Sequence, residues 1–270
     1  MASSLQGKNV LVTGASMGIG EAIVTALADK GANLVLLSRD ERKLSSLANK
    51  LSLSHSDVKI IYRAADVGNF ESVDKAIESA VEAIGQIDIL VNNAGLALGA
   101  PATFAELKIQ DIMTMANTNV NGMMFVTHSV LNRSMLKEKP GKGVILNVTS
   151  VTGLEVPPFA GEAVYHASKA FQEAFTNSLR NELVETDIKV LALRPGVVAT
   201  HFHTQRVGFD KEKYNSFTEG YDPLMSDDIA KSAVYMLEQP PNVSIKALDV
   251  VPTAQRSLNV FDRKWAERDH

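Results

Sequence analysis

A tyrosine and a lysine four residues apart, Tyr165 and Lys169, are the pair in this sequence best suited to acid–base chemistry. Apolar residues recur around them at helical spacing, and no glycine or proline interrupts the stretch before Pro195. On a helix, side chains at i and i+4 share one face, with Cβ atoms roughly 6 Å apart. A phenol has a pKa near ~10 and is a poor base at neutral pH, but a nearby ammonium lowers that pKa.

The energetic demand on this pair is large. Lowering the pKa of a phenol from ~10 to about 7 requires roughly 4 kcal/mol. This free energy is more than we expect one lysine to supply, so we expect a second positive charge to contribute. A tyrosine and a lysine four apart also occur by chance on many helices, so other residues must decide whether this pair is catalytic.

Length, charge and composition narrow the class of protein. The 270 residues are 45% hydrophobic and 21% charged, typical of a globular protein of one or two domains. A net charge of −4 and a pI near 5.9 argue against a nucleic-acid or anionic-membrane surface. The absence of cysteine excludes disulfides and thiolate sites. No apolar run reaches the ~18 residues of a membrane span, and we predict a cytoplasmic protein.

Short apolar runs, typical of buried strands, alternate with helical patterns along the chain. The runs span residues 9–13, 33–37, 58–62, 87–91, 144–148, 189–193 and 248–251. Two helical patterns, about 106–116 and 119–137, lie between the fourth and fifth runs. Asp40 is placed to cap the helix that follows the second run. This alternation implies right-handed crossovers. We therefore predict one α/β domain over residues 1–270: a doubly wound (Rossmann) parallel sheet of seven strands with helices on both faces.

Two segments depart from the alternation. Residues 200–225 mix aromatic, histidine and charged side chains, and we predict that this loop-like segment lies on the substrate side of the site. A helix capped by Ser226 or Asp227 is then expected to run to about residue 238. A polar C-terminal tail is expected over residues 252–270.

A glycine-rich turn follows the first strand and precedes a helix. Gly14 and Gly18 let the backbone turn sharply and approach a diphosphate, and the helix N-terminus offers unpaired N–H groups. In a parallel sheet, ligands bind beyond the carboxyl ends of the strands. We favour dinucleotide binding over a plain turn. The residues predicted to take part are Gly14, Ser16, Met17, Gly18, Ile19 and Gly20.

The residues at the end of the second strand indicate whether the dinucleotide is NAD or NADP. An acidic residue there favours a free ribose hydroxyl. This chain instead has Ser38 and Arg39, which suit a 2′-phosphate through a hydroxyl and a charge-assisted donor. We predict NADP(H); the alternative is an ordinary solvated arginine at a helix start.

Together these features resemble the short-chain dehydrogenase/reductase family, over about residues 6 to 252. Each motif alone is weak evidence, but several in the family's order leave little room for coincidence. The motifs are Thr13-Gly14-x-x-x-Gly18-Ile19-Gly20, Asp66-Val67, Asn92-Asn93-Ala94-Gly95, Asn119, Ser150, Tyr165-x-x-x-Lys169 and Pro195-Gly196-x-x-x-Thr200.

The resemblance implies a catalytic tetrad. Tyr165 resembles the proton donor or acceptor, and Lys169 the residue that lowers its pKa and holds the nicotinamide ribose. Ser150 resembles the hydrogen-bond donor to the substrate oxygen. Asn119 resembles the anchor of a water-linked proton relay. An oxidised nicotinamide is then the expected second positive charge beside the phenol.

The resemblance also implies further cofactor contacts, which fall on three stretches. These are Asp66 and Val67 at the adenine, Asn93, Ala94 and Gly95 beneath the adenosine ribose, and Pro195, Gly196, Val198 and Thr200 beside the nicotinamide.

One departure from the family's pattern lies between Ser150 and Tyr165, where this chain has two extra residues around Val156-Pro157-Pro158. A surface bulge would absorb them without effect. If they displace Ser150, the alternative hydrogen-bond donor is Thr152 or Thr149.

A narrower resemblance, to the NADP-dependent 3-hydroxy acid dehydrogenases, bears on the substrate. That group acts on serine, L-allo-threonine and related 3-hydroxy acids, and its members tend to be tetramers. Arg206 can pair with a substrate carboxylate, although a surface arginine or an intersubunit ion pair is an equal alternative. His201 replaces an expected acidic residue, so substrate choice can differ. The segments carrying this resemblance are 92–99, Arg206 with Asp210, 223–228 and 252–255.

Three functions are therefore compared. The first is an NADP(H)-dependent oxidoreductase, a homotetramer or dimer, acting on a small 3-hydroxy acid. The second is a carbonyl or ketone reductase of a biosynthetic pathway with a bulkier substrate, and the third a non-catalytic NADP(H)-binding scaffold or sensor. A metal site at His201 and His203 is not expected, because no third ligand lies nearby in the sequence.

Replacing the phenol tests the predicted chemistry. We expect Tyr165→Phe to keep cofactor binding and to lose at least about 10² in turnover, the lower end of what a positioned acid–base group contributes. Cofactor titration and steady-state rates measure the two effects separately. A variant that retains most of its turnover would contradict this mechanism.

Overall fold

The computed structural model describes residues 4–156, 160–206 and 218–268, and a seven-stranded parallel sheet forms its framework. The strand order is β3-β2-β1-β4-β5-β6-β7, with every neighbouring pair parallel. The order changes direction between β1 and β4, which creates a crevice at the carboxyl ends of these strands. The strands are β1 (Asn9–Thr13), β2 (Asn33–Ser38), β3 (Ile60–Ala64), β4 (Ile89–Asn92), β5 (Lys142–Val148), β6 (Asp187–Pro195) and β7 (Ala247–Val250).

Helices cover both faces of the sheet, which confirms the predicted doubly wound fold. One buried apolar cluster joins the sheet to α1, α2 and α8, and a second joins it to α3, α5 and α6. The helices are α1 (Gly18–Asp29), α2 (Glu41–Ser54), α3 (Phe70–Ile84), α4 (Ile109–Met115), α5 (Gly122–Val130), α6 (Ala163–Glu182), α7 (His201–Arg206) and α8 (Ser226–Leu237). In the described ranges, none of these helices has the length and apolarity needed to cross a bilayer.

Side-chain caps explain where several helices begin. The carboxylate of Asp40 accepts a hydrogen bond from the backbone N–H of Lys43 at 3.1 Å, so the predicted cap of α2 is confirmed. The prediction for α8 is wrong, because Met225 is its N-cap. The carboxylate of Asp228, in the first turn, accepts a hydrogen bond from the backbone N–H of Met225 at 2.8 Å. This N–H donor at the start of the helix therefore has its partner within the helix itself.

The two helices predicted at 106–116 and 119–137 form one continuous helical segment. A π-helical turn, Ala116–Asn121, joins α4 to α5, and a second, Leu131–Met135, follows α5. A short 3₁₀ turn, Phe104–Glu106, precedes α4. A π turn holds an extra residue within an otherwise α-helical path. The first π turn contains Asn119, whose placement in the site is described below.

Buried polar side chains fix the carboxyl ends of the central strands against the helices. The amide of Asn92 on β4 donates to Thr127 of α5 and to the side-chain oxygen of Asn147 on β5, both at 2.9 Å. The amide of Asn147 donates to Thr176 of α6 at 2.8 Å. Buried polar groups require such partners. This chain of hydrogen bonds therefore sets the height of α5 and α6 relative to the strand ends.

Several boundaries differ from the sequence-based expectation. Strand β3 lies two residues later than the predicted run 58–62. Its pairing with β2 extends as far as Ala64, which lies opposite Ser38. The expected polar tail folds in part: Gln255–Ser257 and Val260–Phe261 form an antiparallel hairpin, and Trp265–Glu267 forms a 3₁₀ turn. Part of the predicted segment 200–225 is helical, as α7; its residues 207–217 lie outside the described ranges.

Candidate active site

A cleft of about 420 Å³ opens beyond the carboxyl ends of the strands, a size usual for a small-molecule or cofactor site. It runs from the glycine loop to α6 and α7. Most of the predicted site residues line it: Gly14, Ser16, Met17, Gly18, Ile19, Ser38, Arg39, Val67, Asn93, Ala94, Gly95, Ser150, Tyr165, Lys169, Pro195, Gly196, Val198, Thr200 and Arg206. Three predicted residues do not line it, namely Gly20, Asp66 and Asn119.

The glycine loop requires glycine at specific positions. Gly14 and Gly18 have φ of 63° and 58°, a region that other residues rarely adopt. At Gly20 a Cβ atom would lie 2.2 Å from the carbonyl oxygen of Gly14. Gly20 therefore lies beneath the loop, where it lets α1 begin against it, rather than facing the cleft. The side-chain amide of Asn93 donates to the carbonyl of Thr13 at 3.0 Å and fixes the loop to the end of β4.

Asp66 lies beside the cleft rather than on its wall. Its carboxylate accepts the N–H of Gly68 at 3.0 Å, in the turn before α3, and the residue is exposed. Its neighbour Val67 lines the cleft. The acidic side chain thus shapes the turn that presents Val67.

The other end of the cleft, at the end of β2, carries positive charge and a hydroxyl. Ser38 is buried, and its hydroxyl oxygen has no hydrogen-bond partner in the described part of the chain. Arg39 and Lys43 line the cleft next to it. Sequence reasoning missed Lys43, although it follows Arg39 at i+4. Asp40 also lines this end, with its carboxylate 3.9 Å from the ammonium of Lys43, so one cation is left without an acidic counterpart among the described residues of this wall. An unsatisfied buried hydroxyl beside this excess positive charge fits a phosphate group.

At the opposite end, burial controls the acidity of Tyr165. The phenol is 6% exposed, and burial raises its pKa to about 12. Among its neighbours, the cation of Arg206 lowers this pKa most, Glu162 raises it, and the nearby hydroxyls of Ser150 and Thr152 lower it. The expected lowering of the phenol pKa is therefore outweighed by desolvation. Arg206, rather than Lys169, is the principal favourable charge.

Ser150 stays beside Tyr165 despite the two extra residues that follow it. Its hydroxyl oxygen accepts the N–H of Thr152 at 3.1 Å, which begins a 3₁₀ turn over Val151–Gly153. Residues 154–156 after this turn are exposed, as a surface bulge requires, and 157–159 lie outside the described ranges. Thr152, the predicted alternative, also adjoins the phenol. The hydroxyls of Ser150 and Thr152 together face the tyrosine.

The ammonium of Lys169 is hydrogen-bonded to the side chain of Gln172, on the same helix. The ammonium donates to the side-chain oxygen of Gln172 at 2.9 Å and to the carbonyl of Val148 at 3.3 Å, and it lies 5.8 Å from the ring centre of Tyr165. Burial lowers the pKa of Lys169 to about 8, against the opposing effect of Glu173. Sequence reasoning missed Gln172, although its spacing from Lys169 is helical.

Asn119 is fully buried behind this lysine. Its side chain accepts from and donates to the backbone of Leu96, at 2.9 and 2.8 Å, and its backbone carbonyl accepts from the amide of Gln172 at 2.8 Å. Asn119, which resembles the anchor of a water-linked proton relay, thus has its backbone carbonyl bonded to a side chain. Gln172 links this carbonyl to Lys169 directly.

Arg206 is neither on the surface nor free for a partner subunit. It is 6% exposed and forms two contacts with Glu162: Nε to Oε1 at 2.7 Å and Nη2 to Oε2 at 2.5 Å. Its guanidinium carbon lies 5.6 Å from the ring centre of Tyr165, and the ring of Phe202 lies 5.5 Å from it. An intramolecular ion pair is a reading that the sequence did not suggest, because 44 residues separate the two partners.

A family model decides the broader identity. The model described as "short chain dehydrogenase" matches residues 8–209, well over half of the chain. The chain belongs to the short-chain dehydrogenase family. This confirms the resemblance seen in the sequence, and the order of strands and the cleft at their ends are consistent with it.

Within the short-chain dehydrogenase family, several relatives span nearly the whole chain. The NADP-dependent 3-hydroxy acid dehydrogenase of Schizosaccharomyces pombe is 37% identical over 265 residues, 98% of this chain and 100% of that protein. The serine 3-dehydrogenase of Agrobacterium fabrum is 33% identical and covers 91% of this chain and 94% of its own. A solved structure, the closed form of a serine dehydrogenase with NADP+, superposes with a TM-score of 0.83 at 31% identity, covering 92% and 96% of the two chains.

Two histidines near the site have described contacts. His166 hydrogen-bonds the carbonyl of Thr152 through Nδ1, and His201 lines the cleft at the start of α7. Among the residues that the structure describes, no three His, Cys, Asp or Glu side chains are grouped so as to hold a metal ion.

The lowered pKa of Lys169 predicts a pH-dependent stability. Its folded pKa of about 8 lies below the ~10.4 of an unfolded lysine, so between these values the unfolded chain binds more protons and stability rises with pH. Relative to Lys169→Met, we expect the wild type to gain up to about 1.4 kcal/mol per pH unit across this window. Urea unfolding at several pH values measures it. A Lys75→Met control, at an exposed position, should follow the wild type; parallel curves for all three proteins would contradict the prediction.

Proposed function

We propose that this protein is an NADP(H)-dependent oxidoreductase that interconverts a secondary alcohol and its ketone or aldehyde. A 3-hydroxy acid such as serine or L-allo-threonine is the proposed substrate. The observation that carries this proposal is the convergence of Tyr165, Ser150 and Lys169 at one end of a dinucleotide-sized cleft. The names of the relatives, an NADP-dependent 3-hydroxy acid dehydrogenase and serine dehydrogenases, support it.

The residues of the cleft fit NADP along its length. The glycine loop and the N-terminus of α1 suit the diphosphate, and the hydroxyl of Ser38 with Arg39 and Lys43 suits a 2′-phosphate. The remaining proposed contacts are Val67, Asn93, Ala94 and Gly95 towards the adenosine, and Pro195, Gly196, Val198 and Thr200 towards the nicotinamide. When bound, the cofactor supplies the hydride acceptor or donor.

Tyr165 is the proposed acid–base group. With a pKa of about 12, the phenol is protonated near neutral pH and is ready to donate its proton to a substrate carbonyl oxygen. In the direction of oxidation it must lose that proton, so positive charge beside it is required. The hydroxyls of Ser150 and Thr152 hydrogen-bond the reacting oxygen and stabilise charge that develops on it.

Lys169 and Asn119 have supporting roles. Lys169 places a buried ammonium 5.8 Å from the ring centre of Tyr165, on the wall of the cleft, where it would hold the nicotinamide ribose of a bound cofactor. Asn119 holds the backbone of Leu96, which lines the cleft, and it contacts Gln172 behind the lysine. Asn119 thus acts on the geometry of the site from outside the cleft.

The oligomer and location stay predictions. A homotetramer or dimer is favoured by large apolar side chains that are exposed on and before α4: Phe104 is 61% exposed, Ile109 69% and Met113 50%. Sedimentation of the purified protein measures the size of the assembly. The cytoplasmic location rests on the lack of cysteine and of a predicted membrane-spanning run.

A substrate panel run with both NADP and NAD tests the proposed function. We expect NADP-dependent oxidation of serine, L-allo-threonine or other 3-hydroxy acids, with much lower rates for NAD. Preference for bulky ketones would support the alternative of a carbonyl reductase. Cofactor binding without turnover of any panel member would instead indicate a scaffold or sensor.

Arg39 is expected to set the preference for NADP. We predict that Arg39→Leu weakens NADP binding at least about tenfold, the value of one lost charge-assisted hydrogen bond, and changes NAD binding much less. Fluorescence titration with each cofactor measures both affinities. The matched control is Arg42→Leu, an exposed arginine of α2 that does not line the cleft. Equal weakening of both cofactors by Arg39→Leu would contradict this role.

A further inference from the structure

A buried side-chain amide, that of Gln172, spans the gap between the ammonium of Lys169 and the backbone of Asn119. All three residues are buried, and Gln172 is only 1% exposed. The amide oxygen accepts a hydrogen bond from the ammonium at 2.9 Å, and the amide nitrogen donates to the carbonyl of Asn119 at 2.8 Å. Both ends of the amide are therefore used, and through it α6 is linked to the π turn before α5.

The chemistry of the two partners fixes the orientation of this amide. An ammonium can only donate hydrogen bonds, and a backbone carbonyl can only accept them. The oxygen of the Gln172 amide must therefore face Lys169, and its nitrogen must face Asn119. Glutamate at this position would lack the donor, and methionine, which has a similar length, would lack both a strong donor and a strong acceptor.

The ammonium of Lys169 has three N–H donors, and two of them have acceptors. One acceptor is the amide oxygen of Gln172, and the other is the carbonyl of Val148, at the longer and weaker distance of 3.3 Å. Across residues 4–156, 160–206 and 218–268 no further acceptor is paired with this ammonium. Because Lys169 lines the cleft, its third N–H is left for a group bound there.

The acceptor at Gln172 is neutral, which keeps the charge of Lys169 available to the cleft. The ammonium lies 5.8 Å from the ring centre of Tyr165, and a positive charge at this range favours the phenolate. A carboxylate in place of the amide would add a negative charge close to the phenol and oppose that effect. The amide instead holds the ammonium by a hydrogen bond alone.

We propose that Gln172 is a positioning residue: its amide holds the ammonium of Lys169 at the wall of the cleft, with one N–H left for the cofactor ribose and the positive charge kept beside Tyr165. This inference rests on the proposed function, because it concerns the lysine that serves the reaction at Tyr165. Gln172 does not line the cleft, so it acts through Lys169.

Gln172→Met provides the first test, in the protein without cofactor. The ammonium loses its principal acceptor, so its charged form is disfavoured further and the pKa of Lys169 falls. The folded pKa of about 8 is the lower edge of the window in which stability rises with pH. Relative to Gln172→Met/Lys169→Met, we expect this edge to lie about one pH unit lower in Gln172→Met, the effect of one hydrogen bond to a charged group. Urea unfolding at several pH values measures it.

Gln172→Glu tests the same contact in the opposite direction. The carboxylate keeps an acceptor for the ammonium and adds an opposite charge, which raises the pKa of Lys169. The lower edge of the stability window should therefore move to higher pH in Gln172→Glu and to lower pH in Gln172→Met. A side chain that only filled space would not produce shifts of opposite sign.

The pH dependence of oxidation tests the effect on the reaction. At pH 8 about half of the lysine is charged in the wild type, against roughly a tenth in Gln172→Met after a fall of one pH unit. We expect NADP-dependent oxidation of a 3-hydroxy acid by Gln172→Met to fall about fivefold at pH 8, mainly in kcat, and to change little at pH 6, where the lysine is charged in both proteins.

The other charged groups that act on the two titrating side chains are unchanged in these variants. Glu173 acts on Lys169, and Arg206 and Glu162 act on Tyr165. Differences between the variants therefore report the residue at position 172.

Thr176→Val is the matched structural control on the same helix. The hydroxyl of Thr176 accepts from the amide of Asn147 at 2.8 Å and donates to the backbone carbonyl of Gln172 at 2.6 Å, but it makes no contact with Lys169. Its loss removes buried hydrogen bonds of α6 and should lower stability. The stability window and the pH profile of turnover should stay at the wild-type pH.

An equal loss of turnover at pH 6 and pH 8 in Gln172→Met, or the same pH shifts in Thr176→Val, would overturn the inference and leave Gln172 as a structural link between α6 and the π turn. If Gln172→Met does not fold, a window in Gln172→Glu that fails to move to higher pH overturns it. Wild-type turnover of a 3-hydroxy acid with NADP keeps the proposed function in either case. A wild type that turns over no member of the substrate panel removes the proposed function and this inference with it.

Discussion

The buried ammonium of Lys169 is the constraint around which the reacting end of the site is arranged. A charge taken out of water is costly unless hydrogen-bond acceptors replace its hydration. Those acceptors come from different elements: the carbonyl of Val148 at the end of β5 and the amide oxygen of Gln172 one turn along α6. Gln172 in turn donates to the backbone carbonyl of Asn119, which lies in the π turn before α5. The lysine therefore ties strand, helix and π turn together.

The two ends of the cleft differ in the charged side chains that line them. At the end of β2, Arg39, Lys43 and Asp40 line the wall near the hydroxyl of Ser38, which has no partner among the described residues, and the two cations outnumber the one carboxylate. At the other end, the guanidinium of Arg206 contacts the carboxylate of Glu162, and both act on Tyr165.

The sequence predicted what depends on local pattern. The alternation of strands and helices, the glycine loop and the cap of α2 by Asp40 follow from short stretches whose meaning depends little on the rest of the chain. Partners brought together by packing were not predicted. The Glu162–Arg206 pair spans 44 residues, and it depends on how α7 packs against α6. The raised pKa of Tyr165 was missed for the same reason, because burial is a property of the assembled fold.

The π turn before α5 has a consequence for how this chain can change over evolutionary time. Removing one residue from Ala116–Asn121 would return the segment to regular α-helical winding, and everything beyond it would rotate by about 100°. The apolar side chains of α5 that face the sheet would swing towards solvent, and Asn119 would lose Leu96. Single-residue deletions here should be purged by selection, while the exposed bulge at residues 154–156 should vary freely in length among descendants.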